Sequence, residues 1–227
     1  MLATGLPAGV WATRDHCKSP SFTIGTLCVV STRLTRVSSS RGLFAFASTT
    51  LILSLFNVRA RGISTPNAVV GMALGVGGLS QLLAGMWEFA CGNTFGATAF
   101  TMYGGFWLSY ASILIPGSGI LAAYSGNEQL TDALGIYLTT WGLLTFILLV
   151  AASRRNMGLI ALFAFLTITF FLLAGGEYTG RLNVTKAGGY FGIITALIAF
   201  YVGLAELLTR EDSWFTLPLG QIPKRLD

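Results

Sequence analysis

The sequence predicts an all-α polytopic membrane protein with six transmembrane helices around a narrow pathway. Of the 227 residues, 53% are hydrophobic and only 10% are charged, whereas soluble domains carry about 25% charged residues. Six apolar runs come close to the roughly 20 residues that a helix needs to cross about 30 Å of hydrocarbon. They are residues 42–58, 71–89, 95–115, 133–152, 157–175 and 187–208.

The second and third runs form the best-defined pair. Only residues 90–94 separate them, which leaves room for a tight turn at one membrane face and predicts two antiparallel helices. The chain has 28 glycines, many inside apolar runs, and helices in lipid associate by close packing of small residues. We therefore interpret the pairs Gly71–Gly75 and Gly188–Gly192 as helix-packing motifs.

Three regions follow from the composition: residues 1–41, 42–208 and 209–227. The first is expected to be a mostly disordered tail, because its apolar patch 22–30 is too short to span. The second is the six-helix transmembrane domain, and the third is a polar cytoplasmic tail. The first region also holds five basic residues against one acid, with many serines and threonines. That composition faintly resembles a mitochondrial transit peptide, so a mitochondrial membrane is the alternative to the plasma membrane.

The basic residues predict the orientation, because cytoplasmic loops carry an excess of Lys and Arg. Ten lie on the N-terminal side of the predicted spans and four on the opposite side. The ten are Arg14, Lys18, Arg33, Arg36, Arg41, Arg154, Arg155, Arg210, Lys224 and Arg225; the four are Arg59, Arg61, Arg181 and Lys186. Both termini are therefore expected in the cytoplasm. The net charge of +5 then needs no nucleic-acid partner.

Ionisable groups are scarce in the predicted spans, where we place only Glu88 and Glu206 inside or near helix ends. The single histidine, His16, and three cysteines have no metal-ligand spacing. These observations disfavour an intramembrane enzyme, a metal site and a cofactor. Glu88 has two interpretations: a structural group that reaches the interface, or a protonatable group that sets selectivity.

Polar and aromatic residues recur at helical spacing on three of the spans. They are Phe46, Thr50, Ser54 and Asn57 on the first, Thr94, Thr98, Thr101, Gly105, Ser109 and Ser112 on the third, and Phe163, Thr167, Phe170 and Ala174 on the fifth. Such hydroxyls can bond to their own backbone or a neighbouring helix. Three stripes in one apolar bundle instead favour a weakly polar path, which could hydrogen-bond a small carboxylic acid without trapping it.

Asn93 and Thr94 precede the third span. A side-chain oxygen there can cap the free N–H groups of the helix, which is the ordinary interpretation. The positive end of the helix dipole could also attract an anion along the path.

Residues 71–109, GMALGVGGLSQLLAGMWEFACGNTFGATAFTMYGGFWLS, resemble the second and third helices of the acetate uptake transporter family. That family includes the fungal Ato acetate transporters and the bacterial succinate–acetate permeases. The resemblance extends over residues 42–223 and includes AGGYFG at 187–192. It implies a plasma-membrane transporter or channel for acetate and other small monocarboxylates, with proton-coupled uptake and a homo-hexameric assembly. It also implies a pathway narrowed by Phe46, Tyr103 and Phe163.

One departure from the family pattern affects the start of the first helix. Family members carry Asn-Pro-x-Pro-Leu-Gly-Leu there, whereas this chain keeps Gly42-Leu43, has Arg41 in place of Leu, and has three serines at 38–40. Either part of the vestibule is lost, or residues 1–41 derive from a misread or alternative first exon. The alternative function is a non-transporting membrane sensor or assembly partner of the same fold.

Overall fold

The computed structural model describes residues 22–125, 129–209 and 213–223, with side chains from residue 38 onward. The regular elements within these ranges are helices, and none of the described residues forms a named strand. The helices are α1 (Phe22–Asn57), α2 (Val69–Met72), α3 (Gln81–Ala90), α4 (Thr94–Leu114), α5 (Ile120–Ala123), α6 (Gln129–Ala152), α7 (Met157–Thr179) and α8 (Leu182–Leu207). A π-helical stretch, Ala73–Ser80, joins α2 to α3.

Five helices of the described chain are long and apolar enough to cross a membrane: Ser38–Asn57, Pro66–Ala90, Gln129–Ala152, Met157–Thr179 and Leu182–Leu207. The all-helical, multi-pass membrane class is thereby confirmed. The third predicted span corresponds to α4, which has 21 residues but many glycines, serines and threonines. Nine of the 21 residues of α4 are buried, against six of the 24 residues of α6. A helix that is enclosed by other helices needs less apolar surface than one that faces lipid. That α4 crosses the membrane stays a prediction.

The first helix begins well before the predicted start of the first span. α1 extends back to Phe22, whereas we expected a mostly disordered tail up to residue 41. Residues 22–41 contain no proline, so each added residue can continue the ladder of backbone hydrogen bonds. Ser38 and Ser40 are buried in the bundle. The expectation for residues 1–21, including His16, lies outside the described residues.

The long helices form a ring. α8 packs between α1 and α7, α7 packs on α6, and α3 packs on both α4 and α1. Successive helices run in opposite directions, so one end of the bundle carries the end of α1 and the other carries the start of α4. We call these the Asn57 end and the Asn93 end. Side chains rather than close backbones connect α4 with α6, and this is where the ring encloses space.

The two predicted glycine pairs differ in their surroundings. A Cβ at Gly188 would meet Leu173, and one at Gly192 would collide with Ser54, so this pair lets α8 approach α7 and α1. Cβ atoms at Gly71 and Gly75 would meet nothing within 4 Å. Gly71 and Gly75 therefore have no packing partner among the described residues, and their role as a helix-packing pair stays a prediction. The buried face of that segment carries Val69, Ala73 and Gly77 instead.

The described part of the C-terminal tail returns to the bundle at the Asn93 end. The Tyr201 hydroxyl donates to the Pro218 carbonyl at 2.8 Å, and the Met157 N–H donates to the Gly220 carbonyl at 3.0 Å. The Ile222 N–H donates to the Arg155 carbonyl at 3.3 Å. These contacts tie residues 218–222 to the connection between α6 and α7.

Candidate functional site

A cavity of about 80 Å³ lies between α1, α4, α6 and α7. We call it the central cavity. It has room for several water molecules, since one water needs on the order of 10–15 Å³. Of the residues that the sequence analysis placed in stripes or at the narrowing, six line it: Phe46, Thr50, Ser54, Asn57, Tyr103 and Phe170. The first-span stripe and the third-span tyrosine thus meet at one site.

Three aromatic side chains lie at the Asn93 end of the central cavity: Phe46 and Tyr103 line it, and Phe163 stacks on Tyr103. Phe46 on α1 lies 5.4 Å from Tyr103 on α4, measured between ring centroids, and Tyr103 lies 6.3 Å from Phe163 on α7. Each of the three is at most 4% exposed. The Tyr103 hydroxyl bonds to the Thr145 hydroxyl at 2.9 Å, which fixes the ring against α6. We call these three rings the aromatic constriction.

A second group of aromatic residues lies between α4, α6 and α7; Phe106, Tyr137 and Phe170 line the central cavity, and Trp141 packs against them. Phe106 is at its centre, with ring centroids 5.1 Å from Trp141, 5.4 Å from Phe170 and 6.0 Å from Tyr137. The Tyr137 hydroxyl also bonds to the Ser109 hydroxyl at 2.7 Å. The sequence analysis included Phe170 and Ser109 in stripes but assigned no role to Phe106, Tyr137 or Trp141.

Most of the predicted hydroxyl stripe on α4 does not face the central cavity. Thr98 and Thr101 bond to carbonyls one turn earlier, at 2.9 and 2.7 Å, and a Cβ on Gly85 of α3 would touch Thr101. Thr94 is exposed at the start of α4. Successive helical residues are 100° apart, so Thr101 and Tyr103 are about 200° apart and cannot both face the cavity. Thr98 and Thr101 are accordingly not among the residues that line the central cavity, and their place on the substrate path stays a prediction.

A buried carboxyl group lies at the Asn93 end, beyond the aromatic constriction. Glu88 is 0% exposed. Its Oε1 accepts from the Ser39 hydroxyl at 2.6 Å, and its Oε2 accepts from the Asn93 amide at 2.7 Å. Glu88 therefore does not extend to the surface of the bundle, as the interfacial interpretation required.

Asn93 connects this carboxyl to α4 and to the α6–α7 connection. Its Oδ1 accepts from the Gly96 N–H at 3.3 Å, which is the predicted cap, and from the Arg155 guanidinium at 3.4 Å. The guanidinium lies 4.3 Å from the centroid of the Phe95 ring, a distance at which cation–π attraction operates. Asn93 thus both caps α4 and donates a hydrogen bond to Glu88.

The serines in place of the family signature are part of the packed bundle. The Ser38 hydroxyl donates to the Ala84 carbonyl at 2.9 Å, and Ser39 holds Glu88. These bonds join α1 to α3. This end of the bundle is therefore held by side-chain hydroxyls at the positions where family members carry prolines.

At the Asn57 end a second cavity, of about 280 Å³, continues the central one. Asn57, Glu177 and Thr185 line both cavities, and Arg59 lines the second. The sequence analysis missed Glu177, because we ended the fifth span at residue 175, at the pair Gly175-Gly176. Helix α7 continues through those glycines to Thr179.

Comparison with known proteins shows which family this chain resembles. The model of the GPR1/FUN34/yaaH family matches residues 26–224, which begins before Gly42 and so extends the resemblance towards the N-terminus. The chain is 51% identical over 174 residues to Accumulation of dyads protein 2 of Saccharomyces cerevisiae, covering 76% of this chain and 62% of that protein. It is 44% identical over 193 residues to Acetate permease A of Emericella nidulans, covering 80% and 65%. The chain thus spans slightly less than two thirds of these two relatives.

The solved structure of the bacterial acetate channel SatP is similar in fold. The TM-score is 0.72 at 33% sequence identity, and the alignment covers 81% of this chain and 98% of that one. With a family model over nearly the whole described region and a solved relative matched almost end to end, the chain belongs to the GPR1/FUN34/yaaH family.

Proposed function

We propose that this protein is a membrane transporter or channel for acetate and other small monocarboxylates. The observation that carries the proposal is a cavity with hydroxyl and amide groups in a mostly apolar wall, bordered at one end by the aromatic constriction. The names of the similar proteins, an acetate permease and an acetate channel, support acetate as the substrate. The constriction also accounts for a small substrate, since three packed rings leave space for few atoms.

The chemistry of the central cavity suits weak binding of a carboxylic acid. Its lining supplies hydroxyl, amide and indole groups and the carboxyl group of Glu177 at the Asn57 end, and none of the described residues around it is a lysine or arginine. A fixed cation would hold a carboxylate tightly, whereas conduction requires binding that is easily reversed. Dry aromatic walls resist water and inorganic ions and let a small organic acid pass.

Proton coupling, the plasma membrane, cytoplasmic termini and a homo-hexamer belong to the same proposal. Glu88 supports the coupling, because it is a fully buried carboxyl group on the Asn93 side of the constriction. The described helices support the topology, because they place Arg154 and Arg155 at the Asn93 end and Arg59 and Arg61 at the Asn57 end. The hexamer rests on the family resemblance.

Uptake of labelled acetate tests the proposal directly. The full chain is expressed in cells that lack their own acetate transporter, and surface protein is quantified by an epitope tag. We expect saturable uptake above that of cells without the chain. Normal surface expression with no added uptake would instead favour the non-transporting sensor or assembly partner.

A further inference from the structure

Thr50 differs from most of the other helical threonines of the described chain. Ten of those, including its neighbour Thr49, donate the hydroxyl to the carbonyl four residues earlier. Thr50 is 5% exposed, and its Oγ1 has no hydrogen-bond partner among the described residues. Buried polar groups are nearly always paired, so a hydroxyl that forgoes its own backbone needs another explanation.

Trp107 presents a second group of this kind. Its side chain is 2% exposed, and its indole Nε1 has no partner within the described chain. The ring packs against Phe106, 5.0 Å away between centroids, and against Gly77. A Cβ at Gly77 would collide with the indole, so only glycine lets the ring lie this close. The indole N–H can only donate.

The two groups lie at the same level of the bundle. Thr50 follows Phe46 by four residues, and Trp107 follows Tyr103 by four. Because α1 and α4 run in the same direction, both residues are one turn, about 5.4 Å, from the contact between Phe46 and Tyr103 towards the Asn57 end. Both line the central cavity. A Cβ on Gly77 would touch both Thr49 and Trp107, which shows how closely this part of α1 approaches the indole.

We propose that Thr50 and Trp107 form a carboxylate-binding position in the central cavity, one turn from the aromatic constriction on its Asn57 side. The hydroxyl and the indole N–H each donate to the carboxylate of the transported acid. Hydrogen bonds to an ionised group are stronger than neutral ones, so two donors suffice to hold the acid without a cation. The acid would pause here before its methyl end meets the aromatic rings. This proposal rests on the proposed function and adds the residues that bind the carboxylate.

The test compares three variants of the full chain by acetate uptake. Thr50→Val keeps the side-chain shape and removes the hydroxyl, and we expect the half-saturation concentration for acetate to rise about 10-fold at normal surface expression. Trp107→Phe should raise it by a similar factor. Thr49→Val is the matched control, because Thr49 is buried, adjacent, and bonded to Ala45 at 2.9 Å; its half-saturation concentration should stay as in the unmodified chain.

A second measurement does not depend on transport. The purified full chain is melted in sodium acetate and in sodium chloride at equal ionic strength, since a ligand that binds the folded state raises the melting temperature. Acetate should stabilise the unmodified chain and Thr49→Val but not Thr50→Val. In chloride, Thr50→Val should melt no lower than the unmodified chain, because it replaces an unpartnered buried hydroxyl by a methyl group.

Unchanged half-saturation and unchanged acetate stabilisation in both Thr50→Val and Trp107→Phe would overturn the carboxylate position while leaving acetate transport intact. If the unmodified chain takes up no acetate, the proposed function fails. Stabilisation by acetate that Thr50→Val abolishes would then still support a carboxylate site. Equal melting temperatures of the unmodified chain in the two salts would overturn the carboxylate site.

Discussion

The hydrogen bonds of Glu88 show how single residues hold the Asn93 end together. Its two oxygens accept from residues on α1 and on the α3–α4 turn. A buried carboxyl group is costly unless its oxygens are paired, so each donor contributes more here than on a surface. Ser39 and Asn93 therefore link three helices through one side chain.

Ser39→Ala should destabilise the protein. The change leaves one oxygen of a fully buried carboxyl group without its donor, which costs about 1–3 kcal/mol. Thermal unfolding of the purified chain measures it. Ser80→Ala is the matched control, because the Ser80 hydroxyl is exposed and bonds only to the Gly75 carbonyl. Equal losses of unfolding free energy in the two variants would show that the bond to Glu88 stabilises the protein no more than an exposed serine bond does.

Glu88→Gln tests whether this carboxyl group carries the proposed proton coupling. The amide is similar in size but cannot bind or release a proton at physiological pH, so we expect acetate uptake to lose much of its dependence on external pH. Glu177→Gln serves for comparison. Glu177 lines the open cavity at the Asn57 end, where protons exchange without passing the constriction, and that variant should keep the pH dependence. Retention of the full dependence by Glu88→Gln would exclude Glu88 as the proton carrier.

At the scale of helices, the apolar runs predicted five of the long elements well because length and composition alone determine a span. The faces of those helices were harder to predict. On α1 the stripe from Phe46 to Asn57 does face the cavity. Periodicity could identify that face because one aromatic and three polar residues recur there with a single helical period. On α4 small, hydroxyl and aromatic residues occur on every face, so periodicity could not separate Thr101 from Tyr103.

Two other differences had no signal in the sequence. The π-helical stretch Ala73–Ser80 depends on packing, since Gly77 and Gly78 let α1 and α4 approach it. The extension of α7 past Gly175 and Gly176 also depends on packing. Glycine usually weakens a helix, but Gly176 lies against Thr185 of α8, where a Cβ would not fit. Tertiary contact thus overrode the local preference and brought Glu177 into the cavity wall.

The glycine contacts predict opposite effects at two similar positions. Gly192→Ala should destabilise the bundle, because its Cβ would collide with Ser54 where α8 crosses α1. Gly71→Ala should be neutral or stabilising by about 0.5–1 kcal/mol, because alanine favours a helix and nothing lies within 4 Å. Thermal unfolding of both purified variants measures the difference. Destabilisation by Gly71→Ala would show that its open face is covered by another subunit.

At the scale of the whole molecule, the alternation of the helices makes the orientation testable. Native cysteines are first replaced by serine, and single cysteines are introduced at Ser64 and Ser153, which are both exposed at opposite ends of the bundle. A membrane-impermeant thiol reagent should label Cys at position 64 in intact cells and leave position 153 unlabelled until the cells are opened. The reverse pattern would invert the proposed topology.

The aromatic constriction is the feature that would give the whole pathway its size selection. Phe46→Ala or Tyr103→Ala should widen the end of the central cavity, because each removes a ring from a contact of 5.4 Å between centroids. We expect a larger acid such as lactate to enter more readily relative to acetate. The measurement is the lactate-to-acetate uptake ratio, normalised to surface protein.

Packing alone makes a different prediction for the same variants. Truncating a buried aromatic residue costs about 3–5 kcal/mol, so a purely structural ring would lower surface expression and leave the ratio unchanged. Phe165→Ala shows the effect of losing a ring outside the cavity, because the partly buried Phe165 pairs with Phe191 at 5.8 Å and does not line the central cavity. A rise in the ratio for Phe46→Ala and Tyr103→Ala, absent from Phe165→Ala, would place size selection at the constriction. Well-expressed variants with an unchanged ratio would remove both residues from that role.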